Sequence, residues 1–298
     1  MRRWAHRTHL AGLLALAAGA ACGRGGRAAP GFLAVTDDAG RTLTLTAPAR
    51  RIVSLSPAVT ELVFALGAGD RLVGRTTWCD YPPATRAVPS VGDGLSPNIE
   101  AVAARHPDLV VLYRSPLNET AARQLQRLGI TAAVVRQDRL EDVARAARLI
   151  GRLVGHEARA DSLADALTRL VAQPAPPAPT RVAFVVWDTP PMVIGGGSYL
   201  DELATLGGVA NVFHDLGQAS AVVALETIAT RDPDVIAVLR DSAEGGPPAF
   251  ARRAEWQVIR AVRERRFVYL TGSLFGRPGP RAAQAANELR RLIGATGR

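Results

Sequence analysis

The sequence predicts an α/β protein of two similar lobes, with mainly parallel sheets flanked by helices, one long helix bracing the lobes and a ligand cleft between them. Three observations lead there: a segment that occurs twice, strand and helix patterns that alternate around each copy, and a long amphipathic stretch between the copies. NIEAVAARHPDLVVLY starts at Asn98 and ALETIATRDPDVIAVL at Ala224. Each copy reads as a helix with a glutamate near its start (Glu100, Glu226) and an arginine near its end. Pro107 or Pro233 then breaks the helix ahead of a short apolar strand. The period is too long for a solenoid. Two α/β units in one chain leave a crevice between them, the usual place for a small ligand.

In chain order, FLAVTDDAGRTLTL alternates apolar and polar residues around an Asp-Asp-Ala-Gly turn and predicts a hairpin capping the first lobe. RRIVSL predicts a strand, and TELVFALGAG a helix that Gly67 and Gly69 end. The first repeat copy follows, then a helix over Glu119–Leu128 and the strand ITAAVV, an alternation that favours a parallel sheet. From Leu140 to Val171 the apolar residues keep helical spacing, shifted in register near Gly155 and His156, which predicts one long helix or two abutting ones. Unbroken, it would span roughly 48 Å at ~1.5 Å per residue, long enough to brace two lobes. QPAPPAPT predicts a stiff polyproline-like connector. RVAFVVW, the loop and helix GGGSYLDELATLGG, the second copy, the strand FVYL, the loop TGSLFGRPGP and a terminal helix repeat the order of the first lobe. The expected layout is a leader over residues 1–21, a tether over 22–31, an N-terminal lobe over 32–137, the bracing helix over 138–173, a proline-rich connector over 174–180 and a C-terminal lobe over 181–298.

Composition narrows the function classes. The 298 residues are 48% hydrophobic, enough for two ordinary cores, and only 5% aromatic, which argues against a nucleic-acid stacking surface. The formal charge of +9 comes from arginine alone, without a dense run, and Arg2, Arg3 and Arg7 of it lie in the leader. That predicts a solvated arginine-rich surface and no nucleic-acid partner. The basic start, the apolar run Leu10–Ala21 and the small residues before Cys22 have the layout of an export signal, too short to span a membrane. The expected location is the periplasm or the outer face of the cytoplasmic membrane. Cys79 is the only other cysteine, so no thiolate metal centre is expected, and it reads as a small buried hydrophobe.

RIVSLSPAVTELVFALGAGDRLVG, WCDYPP and PNIEAVAARHPDLVV together resemble the helical-backbone metal-receptor family, the solute-binding proteins of ABC importers for cobalamin, ferric siderophores and haem. The resemblance covers roughly residues 33–298 and is closest to the cobalamin-binding branch. It implies capture of a corrinoid and its delivery to an ABC permease dimer with its ATPase subunits, by a monomer with no catalytic residue and no cofactor or metal of its own. GAAC, at residues 19–22, resembles the lipobox of bacterial lipoproteins, with Gly19 in place of the usual leucine, and implies a membrane anchor on Cys22. The resemblance places Glu100 and Glu226 against permease arginines, and the ligand against loops at the carboxyl ends of the strands. Those loops carry Trp78, Asp80 and Tyr81, Tyr113 and Arg114, Trp187, and Phe275 and Arg277. Two positions depart from the cobalamin binders, which have tryptophan where Gly94 stands and aspartate where Ser273 stands. A ferric siderophore, using Arg114 and Arg277, or haem, using a histidine, tyrosine, Met192 or Cys79, remains an alternative cargo.

Two rivals from other classes stay open, an α/β enzyme and a surface adaptor with a vestigial cleft. Against the enzyme, the sequence has no G-x-S-x-G elbow, no H-E-x-x-H and no P-loop lysine. GAGDRLVG closes a helix rather than opening one, and GGGSYLDEL reads as a turn with Ser198 as N-cap.

Overall fold

The computed structural model describes residues 33–240 and 246–296. The expected leader (1–21), tether (22–31) and lipid-bearing Cys22 lie outside the described residues. No helix among the described residues is long and apolar enough to cross a membrane.

The N-terminal lobe opens with the expected hairpin, β1 (Leu33–Thr36) and β2 (Thr42–Leu45). Asp37 makes its turn. The buried carboxylate accepts from the backbone N–H groups of Ala39 and Arg41 and from the Arg41 guanidinium, and it also takes the N–H of Val134, which fixes the hairpin to the lobe. There follow β3 (Ile52–Ser54), α1 (Pro57–Ala65), β4 (Leu72–Gly74), α2 (Ile99–Ala103), β5 (Leu109–Tyr113), α3 (Pro116–Arg127) and β6 (Thr131–Val135). Their sheet runs β4-β3-β5-β6 with every neighbour parallel.

Of the two readings of the bracing segment, one long helix or two abutting ones, the single helix is corrected: there are two, α4 (Leu140–Val154) and α5 (Glu157–Val171), folded back on one another. An unbroken helix would hold residues 148 and 165 roughly 25 Å apart, whereas the Arg148 guanidinium is 2.6 Å from the Asp165 carboxylate. Glycine makes the fold-back. Gly155 ends α4 in the left-handed region, and a Cβ on Gly151 would stand 2.2 Å from that of Ala160, so the crossing is closer than any side chain permits. The turn is tied to the N-terminal lobe: Arg71 donates to the carbonyls of Ala49 and Val154, Arg159 to that of Ala65, and His156 bonds Leu66 and Arg71.

The C-terminal lobe contains β7 (Arg181–Asp188), β8 (Pro191–Ile194), α6 (Tyr199–Gly207), β9 (Ala210–Asn211), β10 (Ser220–Val222), α7 (Leu225–Arg231), β11 (Val235–Leu239), α8 (Arg260–Arg263), β12 (Phe267–Leu270), α9 (Gly272–Phe275) and α10 (Ala282–Thr296). β7, β9, β11 and β12 are parallel, while β8 and β10 add an antiparallel edge.

Both copies of the repeat are clamped alike. Asp108 accepts from the backbone N–H groups of Arg50 and Arg51, and Asp234 from that of Arg181, so each carboxylate fixes the start of its lobe's first core strand. Arg51 returns its guanidinium to the carbonyls of Arg105 and His106, and Arg181 to that of Arg231. His106 and Asp232, both with positive φ, end the two helices ahead of the prolines.

Strand residues alternate between two cores. Ile52, Leu109, Val111, Val182, Phe184, Val235 and Ala237 join one apolar cluster that runs through α4, α5 and α6 and is shared by both lobes. Val53, Val110 and Leu112 face a second cluster, and Ala183, Val185 and Ile236 a third.

Burial raises the Asp234 carboxyl, but the Arg181 N–H and the Arg260 guanidinium outweigh it and hold the group below its ordinary 3.8. A depressed value stabilises the fold above that pH, and the contribution is lost as pH falls through the folded-state value. Asp234→Asn is therefore expected to cost about 1–2 kcal/mol in urea unfolding at pH 7, with the gap to wild type closing below pH 3.8.

Candidate functional site

The carboxyl ends of β3, β5 and β6 and the loop after β4 face the β12–α10 connection and the start of α6 across a cavity of about 580 Å³. Trp78, Tyr113, Gln137 and Asp138 line it from the N-terminal lobe, and Ser198, Gly272 and Arg277 from the C-terminal lobe. Each wall has a local cause. Trp78 sits 61% exposed on a loop pinned from below by buried Cys79, whose Sγ lies 3.1 Å from the hydroxyls of both Thr60 and Thr76. Tyr113 donates its hydroxyl to Asp138 at 2.6 Å, and burial followed by that bond pushes the phenol up to about 12. Ser198 caps α6 by accepting the Asp201 N–H, the role expected of it.

The lobes are tied across the cleft by ion pairs. Arg281, from the C-terminal lobe, reaches the Glu61 carboxylate of α1 with two nitrogens, at 2.7 and 2.6 Å, and lies 3.9 Å over the Tyr81 ring. Arg277 pairs with Asp80, donates to the Trp78 carbonyl at 2.9 Å and stands 3.7 Å from Glu61. Glu61 is only 3% exposed, and burial pushes its carboxyl up while Arg281 and Arg277 pull it down. A third tie closes the rear, where Glu202 of α6 accepts the Leu140 N–H at the start of α4 and bonds Arg139.

Of the residues expected to touch a ligand, Trp78, Tyr113 and Arg277 line the cavity, and Asp80 and Tyr81 belong to the ion-pair cluster at its edge. Arg114 points elsewhere and pairs with Glu119. Trp187 stands in a separate recess of the C-terminal lobe, beside Asp188 and Phe250, with its indole N–H on the Thr189 carbonyl. Phe275 is corrected to a core residue: it ends α9 at 2% exposure and packs in the shared cluster. Gly94 has φ +81 and a Cβ there would lie 2.6 Å from the Leu55 carbonyl, so the backbone leaves no room for a tryptophan. His214 bonds buried Asp201 and stands outside the cavity wall. Glu100 and Glu226 are both exposed in the first turns of α2 and α7.

Gln137, Asp138, Glu61 and Arg281 were not singled out by sequence. Gln137 and Asp138 lie just past the carboxyl end of β6, as Tyr113 and Arg114 lie at that of β5, and that position is the signal. Glu61 is the one charged residue in a mostly apolar helix, which marks a buried partner.

A profile of the periplasmic binding protein family matches residues 52–274. The uncharacterised ABC transporter substrate-binding lipoprotein YvrC of Bacillus subtilis is 29% identical over 87% of this chain and 84% of its own. A vitamin B12-binding protein of Yersinia pestis is 31% identical over 66% of this chain and 72% of its own. The crystal structure of the periplasmic vitamin B12 binding protein of Vibrio cholerae superposes with a TM-score of 0.68 at 25% identity, covering 84% of this chain and 99% of that one. The chain belongs to the periplasmic binding protein family, and the two-lobed α/β fold is that family's.

Removing one partner of the cross-lobe pair strands the other charge in a dry site. Arg281→Met is expected to cost about 3–5 kcal/mol in urea unfolding, and the double variant Glu61→Leu/Arg281→Met to recover most of that loss. A single variant as stable as wild type would show that the Glu61–Arg281 pair does not hold the lobes together.

Proposed function

We propose that this periplasmic binding protein is the substrate-binding component of an ABC importer and that its cargo is a corrinoid. One observation carries the choice of cargo. The described cavity wall holds two charged side chains, Asp138 and Arg277, and Arg277 is already matched by Asp80. A wall of almost no net charge bearing Trp78 and Tyr113 suits a macrocycle with an amide periphery, since flat aromatic faces give contact area at small entropic cost. It disfavours an anionic ferric siderophore, because Arg114 is engaged by Glu119 as well. Haem held by a tyrosine would have to take the hydroxyl of Tyr113, the one tyrosine in the described wall, away from Asp138. The vitamin B12-binding proteins among the sequence relatives support the same reading.

Delivery is assigned to Glu100 and Glu226. They occupy equivalent places in the two repeats, and neither bonds another described side chain, so each carboxylate is available to a permease arginine. The family and the pattern around Cys22 support an exported protein tethered by lipid at the membrane.

Titration of the purified protein with cyanocobalamin, cobinamide, haem and ferric siderophores, followed by tryptophan fluorescence, tests the cargo. The expected result is saturation by a corrinoid at submicromolar concentration, and selective saturation by haem or a siderophore overturns the assignment. Charge reversal at both Glu100 and Glu226 is expected to abolish stimulation of the reconstituted permease ATPase while changing corrinoid affinity less than about twofold, since exposed carboxylates outside the cleft do not touch cargo.

A further inference from the structure

One stretch of the C-terminal lobe sorts its arginines into two groups. Between Ala251 and Phe267 stand Arg252, Arg253, Arg260, Arg263, Arg265 and Arg266. Three are answered by carboxylates: Arg253 by Asp188, Arg260 by Asp232, Asp234 and Glu264, and Arg266 by Glu264. The other three form no ion pair with a described carboxylate, and all three line one depression of about 510 Å³. Pro247, Ala251, Gln257 and Val262 complete its described wall, which holds no acid. The depression shares no residue with the cleft cavity, and Arg252, Arg263 and Arg265 are exposed and so open to a solute. Short elements fix this wall by their own bonds. The turns Ala249–Arg252 and Ala254–Val258 are joined by the Gln257 amide, which donates to the Ala251 carbonyl at 2.6 Å. Arg263, at the end of α8, spends Nη1 on the carbonyls of Gln257 and Val258 and keeps Nε and Nη2 for another acceptor. Arg265 sits in the left-handed region at φ +56, with its N–H on the Val262 carbonyl. Like charges gathered without an acid repel one another, so the group has an electrostatic cost that a bound anion removes.

We infer that this depression is an anion site for a phosphate monoester, either a small soluble phosphate or the headgroup of an anionic phospholipid. Guanidinium forks match phosphate oxygens two at a time, and such bonds are shorter and stronger than neutral ones. A carboxylate offers two oxygens to three arginines, whereas a phosphate monoester offers three and carries more charge. Pro247, Ala251 and Val262 border the forks with apolar surface, which lowers the local dielectric and strengthens the pairing. The volume is larger than a simple ion needs and suits a phosphate carried on a small organic group. The site lies outside the cleft and does not depend on which cargo the cleft takes.

The test compares wild type with Arg252→Gln/Arg265→Gln and with Arg127→Gln/Arg169→Gln, which removes the same charge from two exposed arginines elsewhere. Arg263 stays intact because it holds two carbonyls. Each protein is titrated calorimetrically with glycerol 3-phosphate at low ionic strength, and sedimented with phosphatidylcholine vesicles with and without phosphatidic acid. Wild type is expected to bind in at least one assay, and Arg252→Gln/Arg265→Gln to bind about tenfold or more weakly with a melting temperature equal to or above wild type. Arg127→Gln/Arg169→Gln is expected to stay within about twofold of wild type, since the two changes lie outside the site. Saturation by glycerol 3-phosphate marks a soluble phosphate as the ligand, and sedimentation that depends on phosphatidic acid without such saturation marks the lipid. Equal weakening in both double variants shows attraction to net charge only and overturns the site. Failure of wild type to bind in either assay overturns it as well.

Discussion

The buried pair between Glu61 and Arg281 is the constraint around which the cleft is organised. It joins α1, which opens just behind the floor of the N-terminal lobe, to the segment leading into α10 at the edge of the C-terminal lobe. Two charges taken out of water are tolerated only with close, two-pronged geometry and further partners. Both are present, because Arg281 also covers the Tyr81 ring and bonds the Ser273 carbonyl, and Arg277 stands beside the same carboxylate. The loop bearing Trp78, Asp80 and Tyr81 is thereby fixed against the opposite lobe. Aromatic walls are useful for binding only if they are held in place before the ligand arrives.

The same constraint limits motion. The lobes share an apolar core through α4, α5 and α6, and Glu202 closes the rear by capping α4. A hinge closure would break the front pair, the rear cap and the shared core together. The folded-back pair α4 and α5 thus performs the bracing expected of a single rod, through packing rather than length. Cargo recognition in such a frame falls to side chains that already line the wall, Trp78 and Tyr113 among them.

How much of this was legible in the sequence depended on whether a residue acts locally or across the chain. The repeat, the Asp37 turn, the Ser198 cap and the proline-terminated helices are local devices, and each is visible as a short pattern. The break between α4 and α5 was half visible: Gly155 marks it, but the apolar spacing continues on both sides, and only the approach of Gly151 to Ala160 forces the fold-back. The pairing of Glu61 with Arg281 spans most of the chain, and no spacing rule relates two such residues. Phe275 and Trp187 show the limit of reading aromatics in loops as ligand contacts. Phe275 ends a single helical turn that directs it inward, and Trp187 belongs to a strand end opening on another recess. The β7–β8 hairpin was missed because Thr189 and Pro190 are the only turn signal between two short apolar runs.

Arginine is the thread through these features. The chain reaches +9 without one lysine, yet its guanidinium groups are largely spent inside the structure. Arg41 holds the Ala132 carbonyl, Arg51 and Arg181 the ends of α2 and α7, Arg71 and Arg159 the α4–α5 turn, and Arg290 the end of α6. A planar fork of donors bonds two acceptors in fixed directions, which a single ammonium on a flexible stem does less well. These cations act as caps and staples on carbonyl oxygens, and Arg51, Arg159, Arg181 and Arg290 do so from exposed positions. A strongly basic composition is therefore compatible with a cavity wall of almost no net charge, because the charge was placed by the needs of helix ends and lobe contacts, and the described wall received only Arg277, which Asp80 already answers.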